Sequence, residues 1–164
     1  MKTKAVRLYG EKDLRLDEFE LPPIKNNEIL ARVVSDSICM SSYKEAGQGS
    51  RHQRVPKDIA TNPVIIGHEF CGEILEVGSK WAKQFKAGQK FSIQPAMNYP
   101  HGPAGLLSAP GYSYPHVGGD AQTIIIPNEV MEMNCLLPFN GEAYYHGSLA
   151  EPVSCIVGAY HANY

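Results

Sequence analysis

Within the stretch Ile66-Gly67-His68-Glu69-Phe70-Cys71-Gly72-Glu73, an imidazole, two carboxylates and a thiol fall in the six residues from His68 to Glu73. Upstream, Cys39 stands in Ser37-Ile38-Cys39-Met40-Ser41-Ser42, just past a strand-like run. Downstream, Glu151 precedes Pro152 in Leu149-Ala150-Glu151-Pro152-Val153-Ser154-Cys155. Cys, His and Glu are ligand types that suit zinc, and three protein ligands with an open position make the catalytic form of such a site. Spacing alone does not single this chemistry out, because tight Cys-x-x-Cys pairs are absent. Taken singly, Cys39 reads as a buried inert thiol and His68 as a hydrogen-bonded structural histidine. Glu151 reads equally as a carboxylate at the positive end of a helix. Cys71, Cys135 and Cys155 read as core packing. Tyr112 and Tyr114 read as loop packing, with a cleft wall as the alternative.

The elements around these residues are mostly β. Residues 4–9 and 14–19 alternate and are punctuated by Gly10 and Pro22-Pro23, as in an antiparallel meander. Residues 28–35 form the strand that delivers the chain to Cys39. Ser41 is a good N-cap for a short helix over residues 41–46, closed by Gly47. Residues 47–63 read as a loop carrying Arg51, His52, Arg54 and Lys57. It is either a solvated surface loop or a contact for an anionic substrate, since arginine suits phosphate geometry. Residues 73–78 form the next strand, residues 85–91 a hairpin signal with glycine at the turn, and residues 91–95 a short strand. The Gly-, Pro- and Tyr-rich stretch 96–119 reads as a long ordered loop, a kind that tends to be functional. Residues 121–127 carry the strongest β signal. From about Gly147 helical spacing takes over, with Glu151-Pro152 at the helix start and Val153, Ile156, Val157 and Tyr160 recurring along it.

The 164 residues are 43% hydrophobic and 20% charged, as expected for a globular domain with a real core. A net charge of −2 and the lack of any basic stretch with interleaved aromatics speak against a nucleic-acid partner. No run approaches the ~20 apolar residues that span a bilayer, and residues 1–7 lack the apolar core of a secretory signal. Four widely separated cysteines do not suggest a disulfide framework. A cytoplasmic protein with reduced thiols is expected.

The combination of Gly67-His68-Glu69-Phe70-Cys71-Gly72-Glu73, Cys39 upstream in residues 35–44, Pro110-Gly111-Tyr112-Ser113-Tyr114 and Glu151-Pro152 resembles the zinc-dependent medium-chain dehydrogenases, in their polyol (sorbitol) dehydrogenase branch. The resemblance covers essentially the whole chain. It implies a mainly β, GroES-like barrel with a few short helices over residues 1–146. A connecting helix over 147–164 would lead toward a nucleotide-binding domain that this chain lacks. It also implies Cys39 and His68 as ligands of one catalytic zinc, with Glu69 and Glu151 competing for the third place. Adjacent residues on an extended strand face opposite ways, so His68 and Glu69 can share a metal only if the chain bends near Gly67. Ser41 matches a hydroxyl that relays a proton to or from the substrate oxygen, and Lys44 stands where some relatives carry a relay histidine. Ser42 replaces a customary aspartate that orients the ligand histidine, which weakens that support. Residues 92–116 contain no cysteine, so no structural zinc is expected.

The implied activity is hydride exchange between NAD(P)H and a ketose or polyol, including phosphorylated ones, with Arg51, Arg54 and Lys57 as candidates for a phosphate end. No Gly-x-Gly-x-x-Gly follows a strand. The chain is therefore expected to be part of a longer protein, inactive alone and monomeric, with a homo-oligomeric parent. A non-enzymatic GroES-like binding or assembly module, without catalytic zinc, is the rival from another class. A zinc-free quinone reductase relative is a third reading, which Cys39 and Gly67-His68-Glu69 disfavour.

Overall fold

Alternating and wholly apolar β-forming runs build two antiparallel sheets in the computed structural model, which describes residues 1–162. Strands β1 (Lys2–Gly10), β2 (Asp13–Glu20) and β4 (Val64–Ile65) form the smaller sheet in the order β2-β1-β4. Strands β3 (Ile29–Asp36), β5 (Phe70–Val77), β6 (Lys90–Ile93), β7 (Thr123–Ile126) and β8 (Leu136–Pro138) form the larger one in the order β7-β3-β5-β6-β8. A bridge between Ala5 and Ala121, with bonds from Val6 N to Asp120 O and from Gln122 N to Lys4 O, ties the two sheets together. The main core gathers Ile29, Phe70, Ile74, Phe91, Ile93, Ile124 and Ile126. The expected mainly β class holds.

Among the described residues, α-helices α1 (Met40–Gln48), α2 (Asn128–Glu132), α3 (Tyr144–Ser148) and α4 (Ala150–His161) accompany the sheets. Helix α1 differs from the expected helix at both ends. Its N-cap is Cys39, whose sulfur accepts from Ser41 N at 3.4 Å, rather than Ser41 itself. It runs through Gly47 and closes at Gly49, where φ is +53° and a Cβ would lie 2.5 Å from Glu11 N. Residues 47–63 are anchored rather than merely solvated. Val55 and Ile59 are buried with Leu8, Val64 and Ile66 in a second apolar cluster. Helices α2 and α3 and strand β8 have no counterpart in the sequence reading; each is too short to show a period.

Helix α3 straddles residues 146 and 147 and packs on the larger sheet. Ser92 Oγ donates to Gly147 O at 2.7 Å, and Ser148 Oγ lies 2.8 Å from Ser35 Oγ. Helix α4 starts where expected, but none of its residues is buried. Cys155 is accordingly exposed rather than in the core, because none of the described residues covers its face of the helix. The last two residues of the expected connecting helix, 163 and 164, lie outside the described ones. Among the described residues no helix is long and apolar enough to cross a membrane.

Candidate metal centre

Antiparallel pairing brings the centre together. Strand β3 ends and β5 begins at the same end of the sheet, with Ser35 opposite Cys71, Asp36 opposite Phe70, and Ser37 N bonded to Glu69 O at 3.1 Å. Cys39, just beyond β3, is thereby set beside His68 and Glu69, just ahead of β5.

The bend that those two adjacent residues need is present. Gly67 has a φ of +89°, and β5 starts only at Phe70. The turn is clamped by the long 96–119 loop. Gly119 N donates to Gly67 O at 2.7 Å, Asp120 N to Ile66 O at 3.0 Å, and a Cβ on Gly111 would sit 1.9 Å from Gly67 O.

One ligand atom each from Cys39, His68 and Glu69 lies within 4.8 Å of the others. A zinc ion with bonds of ~2.0–2.3 Å holds tetrahedral ligand atoms roughly 3.3–3.8 Å apart. Shifts of about 1 Å would therefore close this trio on one ion. The donor set, thiolate, imidazole and carboxylate, is also one that zinc takes. His68 Nε2 lies 3.9 Å from Glu69 Oε1. Burial holds His68 below the usual imidazole range, so this is a neutral ring beside a carboxylate, with a lone pair to offer. Ser42 Oγ lies 3.3 Å from His68 Nδ1. It thus stands at the orienting position that the resemblance implies for Ser42, with a neutral hydroxyl in place of a charge. The Tyr112 hydroxyl lies 3.3 Å from Nε2, and Ser37 Oγ donates to Glu69 Oε2.

Glu151, in the first turn of α4, stands next to Glu69. Burial raises its carboxyl above the usual range, and the facing Glu69 carboxylate raises it further. Its Oε1 accepts from Cys155 Sγ at 3.3 Å. Ser41, Arg54, His68, Tyr112 and Glu151, with Pro95, Ala96 and Ala109, line a cavity of about 170 Å³ over the centre.

The other candidates are placed elsewhere. Lys44 is exposed and lines a surface hollow with Lys12, Leu14 and Tyr43. Arg51 is exposed and pairs with Glu11 at 2.8 Å, while Lys57 Nζ donates to Ser50 O. Only Arg54 of the three basic candidates lines the cavity. The residue that the sequence undervalued is Tyr112, read there as loop packing. Its ring lies 4.7 Å from that of His68 and is stacked on His52 at 5.6 Å. The alternative reading of Tyr112 as a cleft wall is the one that fits its place on the cavity.

The family model of the alcohol dehydrogenase GroES-like domain matches residues 25–135. Over 162 residues, 99% of this chain, the sequence is 55% identical to L-sorbose 1-phosphate reductase of Klebsiella pneumoniae. It is 50% identical over 162 residues, again 99% of this chain, to mannitol-1-phosphate 5-dehydrogenase of Aliivibrio fischeri. The matched stretch is 38% of the first protein and 37% of the second, so the chain spans well under half the length of these relatives. Among solved structures, a protein of Sinorhizobium meliloti 1021 classed as a zinc-binding dehydrogenase and bound to NADP superposes with a TM-score of 0.74. That match has 22% identity and covers 96% of this chain and 44% of that one.

Proposed function

Since the chain belongs to the alcohol dehydrogenase GroES-like domain family, we propose that it is the catalytic domain of a zinc-dependent, NAD(P)-linked oxidoreductase that reduces a ketose or ketose phosphate, or oxidises the matching polyol. The observation that carries this reading is the gathering of Cys39, His68 and Glu69 ligand atoms within 4.8 Å, beneath a cavity lined by Ser41, Tyr112 and Glu151. The relatives named as a sorbose 1-phosphate reductase and a mannitol-1-phosphate 5-dehydrogenase support a sugar or sugar-phosphate substrate.

Cys39 and His68 would hold one catalytic zinc, with Glu69 as the third protein ligand and Glu151 beside it to hold a water or to take that place. When bound, zinc supplies a Lewis acid for the substrate's carbonyl oxygen. Ser42 keeps His68 turned so that Nε2 faces the centre, an orienting role typical of groups behind ligand histidines. Ser41 gives a proton to the substrate oxygen during reduction and takes it back during oxidation. The Tyr112 hydroxyl, which engages Ser41, is the next group on that route. Lys44, exposed in a separate surface hollow, stands off this route. The nicotinamide is assigned to parts of the relatives' length that this chain does not span. No second, cysteine-held zinc belongs to this reading. Its setting is a cytoplasmic homo-oligomeric enzyme with a small-molecule substrate and no nucleic-acid or membrane partner.

The test is NAD(P)H oxidation by the full-length protein with ketoses and ketose phosphates, compared with its Ser41→Ala variant. Turnover by the parent, reduced about 100-fold or more in the variant, supports the enzyme. Complete inactivity of zinc-loaded full-length protein on these substrates, together with metal-independent capture of a partner, points instead to a binding module.

A further inference from the structure

Among the described residues, Arg54 is the arginine without a carboxylate partner. Arg7 faces Asp17, Arg15 faces Asp13, Arg32 faces Glu73 and Arg51 faces Glu11. Among the described residues no carboxylate pairs with Arg54, and it lines the cavity above Cys39, His68 and Glu69.

It is also held still. Its NH1 donates to Leu107 O at 2.9 Å, its carbonyl accepts from Ser113 Oγ at 2.6 Å, and its backbone N–H donates to His52 Nδ1 at 3.3 Å. Its guanidinium carbon lies 5.7 Å from the centre of the Tyr112 ring. That ring is in turn stacked on His52 with planes 8° apart. A guanidinium has five donors. One is spent on Leu107, so most of the planar fork is left for a ligand, and its geometry suits the bidentate grip of a phosphate. With Nδ1 of His52 accepting from the Arg54 backbone, Nε2 of the neutral ring is the nitrogen that carries hydrogen, a neutral donor on the ring stacked against Tyr112.

We propose that Arg54, backed by His52 and Tyr112, is the subsite for a phosphate monoester on the substrate, and that it selects phosphorylated over free sugars. This rests on the oxidoreductase reading of the same cavity. Arg51 and Lys57, already engaged with Glu11 and with the Ser50 carbonyl, stand outside the subsite.

Two measurements separate this inference from the reading beneath it. The first titrates inorganic phosphate into the protein and follows the His52 imidazole by NMR. A saturable shift is expected in wild type and is lost in Arg54→Ala, with Arg51→Ala and Lys57→Ala behaving as wild type. The second compares kcat/KM for a ketose 1-phosphate and the same free ketose in the full-length enzyme. Arg54→Ala is expected to lower that ratio about 10- to 100-fold, the scale of hydrogen bonds to charged groups, and Arg54→Lys to recover part of it. An unchanged ratio, or a phosphate shift that survives Arg54→Ala, overturns the subsite even if the enzyme is active. Phosphate binding that depends on Arg54 in a protein inactive on every sugar would overturn the oxidoreductase reading and leave the anion subsite standing.

Discussion

Glu45 lies on the helix that Cys39 caps, and it is the least comfortable charge in the protein. It is 0% exposed, and neither carboxylate oxygen has a hydrogen-bond partner. Burial raises its pKa well above 4.5, and the nearby Asp120 carboxylate raises it further. The sign of the linkage follows from which state holds the proton. Below pH 4.5 both folded and unfolded chains carry a protonated Glu45, and its ionisation costs nothing. Above that value the unfolded chain releases the proton while the folded one keeps it, so stability declines as pH rises, until the folded-state pKa is reached. The slope is about 1.4 kcal/mol per pH unit across that window. Replacing Glu45 with Gln keeps the shape of the protonated side chain and removes its ionisation. Thermal melts of both proteins, run from pH 4.5 to pH 8, should therefore diverge. The variant should gain on wild type by roughly 4 °C for each pH unit, taking ~1 kcal/mol as ~2–4 °C in a domain this size. A Tm difference that is constant with pH would refute the claim that Glu45 is buried and unpaired.

Gly67→Ala should be destabilised by about 2 kcal/mol or more, from the positive φ and from a Cβ that would meet Asp36 Oδ2 and Asp120 N at 2.2 and 2.7 Å. Its melt should fall by several degrees, and its metal affinity should drop with it. Ser42→Ala, which removes the group next to His68 Nδ1, should weaken zinc binding by ~10- to 100-fold with little change in Tm; competition with a chelator would measure this. On α4, Val153, Ile156, Val157 and Tyr160 are each about half exposed or more. The chain by itself should bind a hydrophobic dye there, and the Ile156→Lys, Val157→Lys pair should abolish most of that signal.

The strands were legible because alternation is a local signal. Lys4 to Tyr9 announces a strand through side-chain period, and Ile124 to Ile126 through a run of β-branched residues. The gathering of Cys39, His68 and Glu69 was foreshadowed by the resemblance rather than by spacing, and the bend it needs by the glycine ahead of His68, which takes a positive φ. Tyr112 was legible only as an alternative, a cleft wall, and its contact with His68 was not. It reaches His68 across 44 positions, through a loop whose register is set by Gly111 packing on Gly67, and no local pattern encodes that. The cap of α1 was misread because a thiol took a role that serine usually fills. Cys155 was misread because helical spacing of apolar residues says that a face exists, but not that anything covers it.

The zinc centre is tested most directly by elemental analysis of the reconstituted chain beside its Cys39→Ser and His68→Ala variants, all confirmed folded by their melts. One zinc per wild-type chain, absent from both variants, is the expected result. A folded wild-type chain that takes up no zinc, or variants that retain it in full, would contradict a metal centre at Cys39, His68 and Glu69.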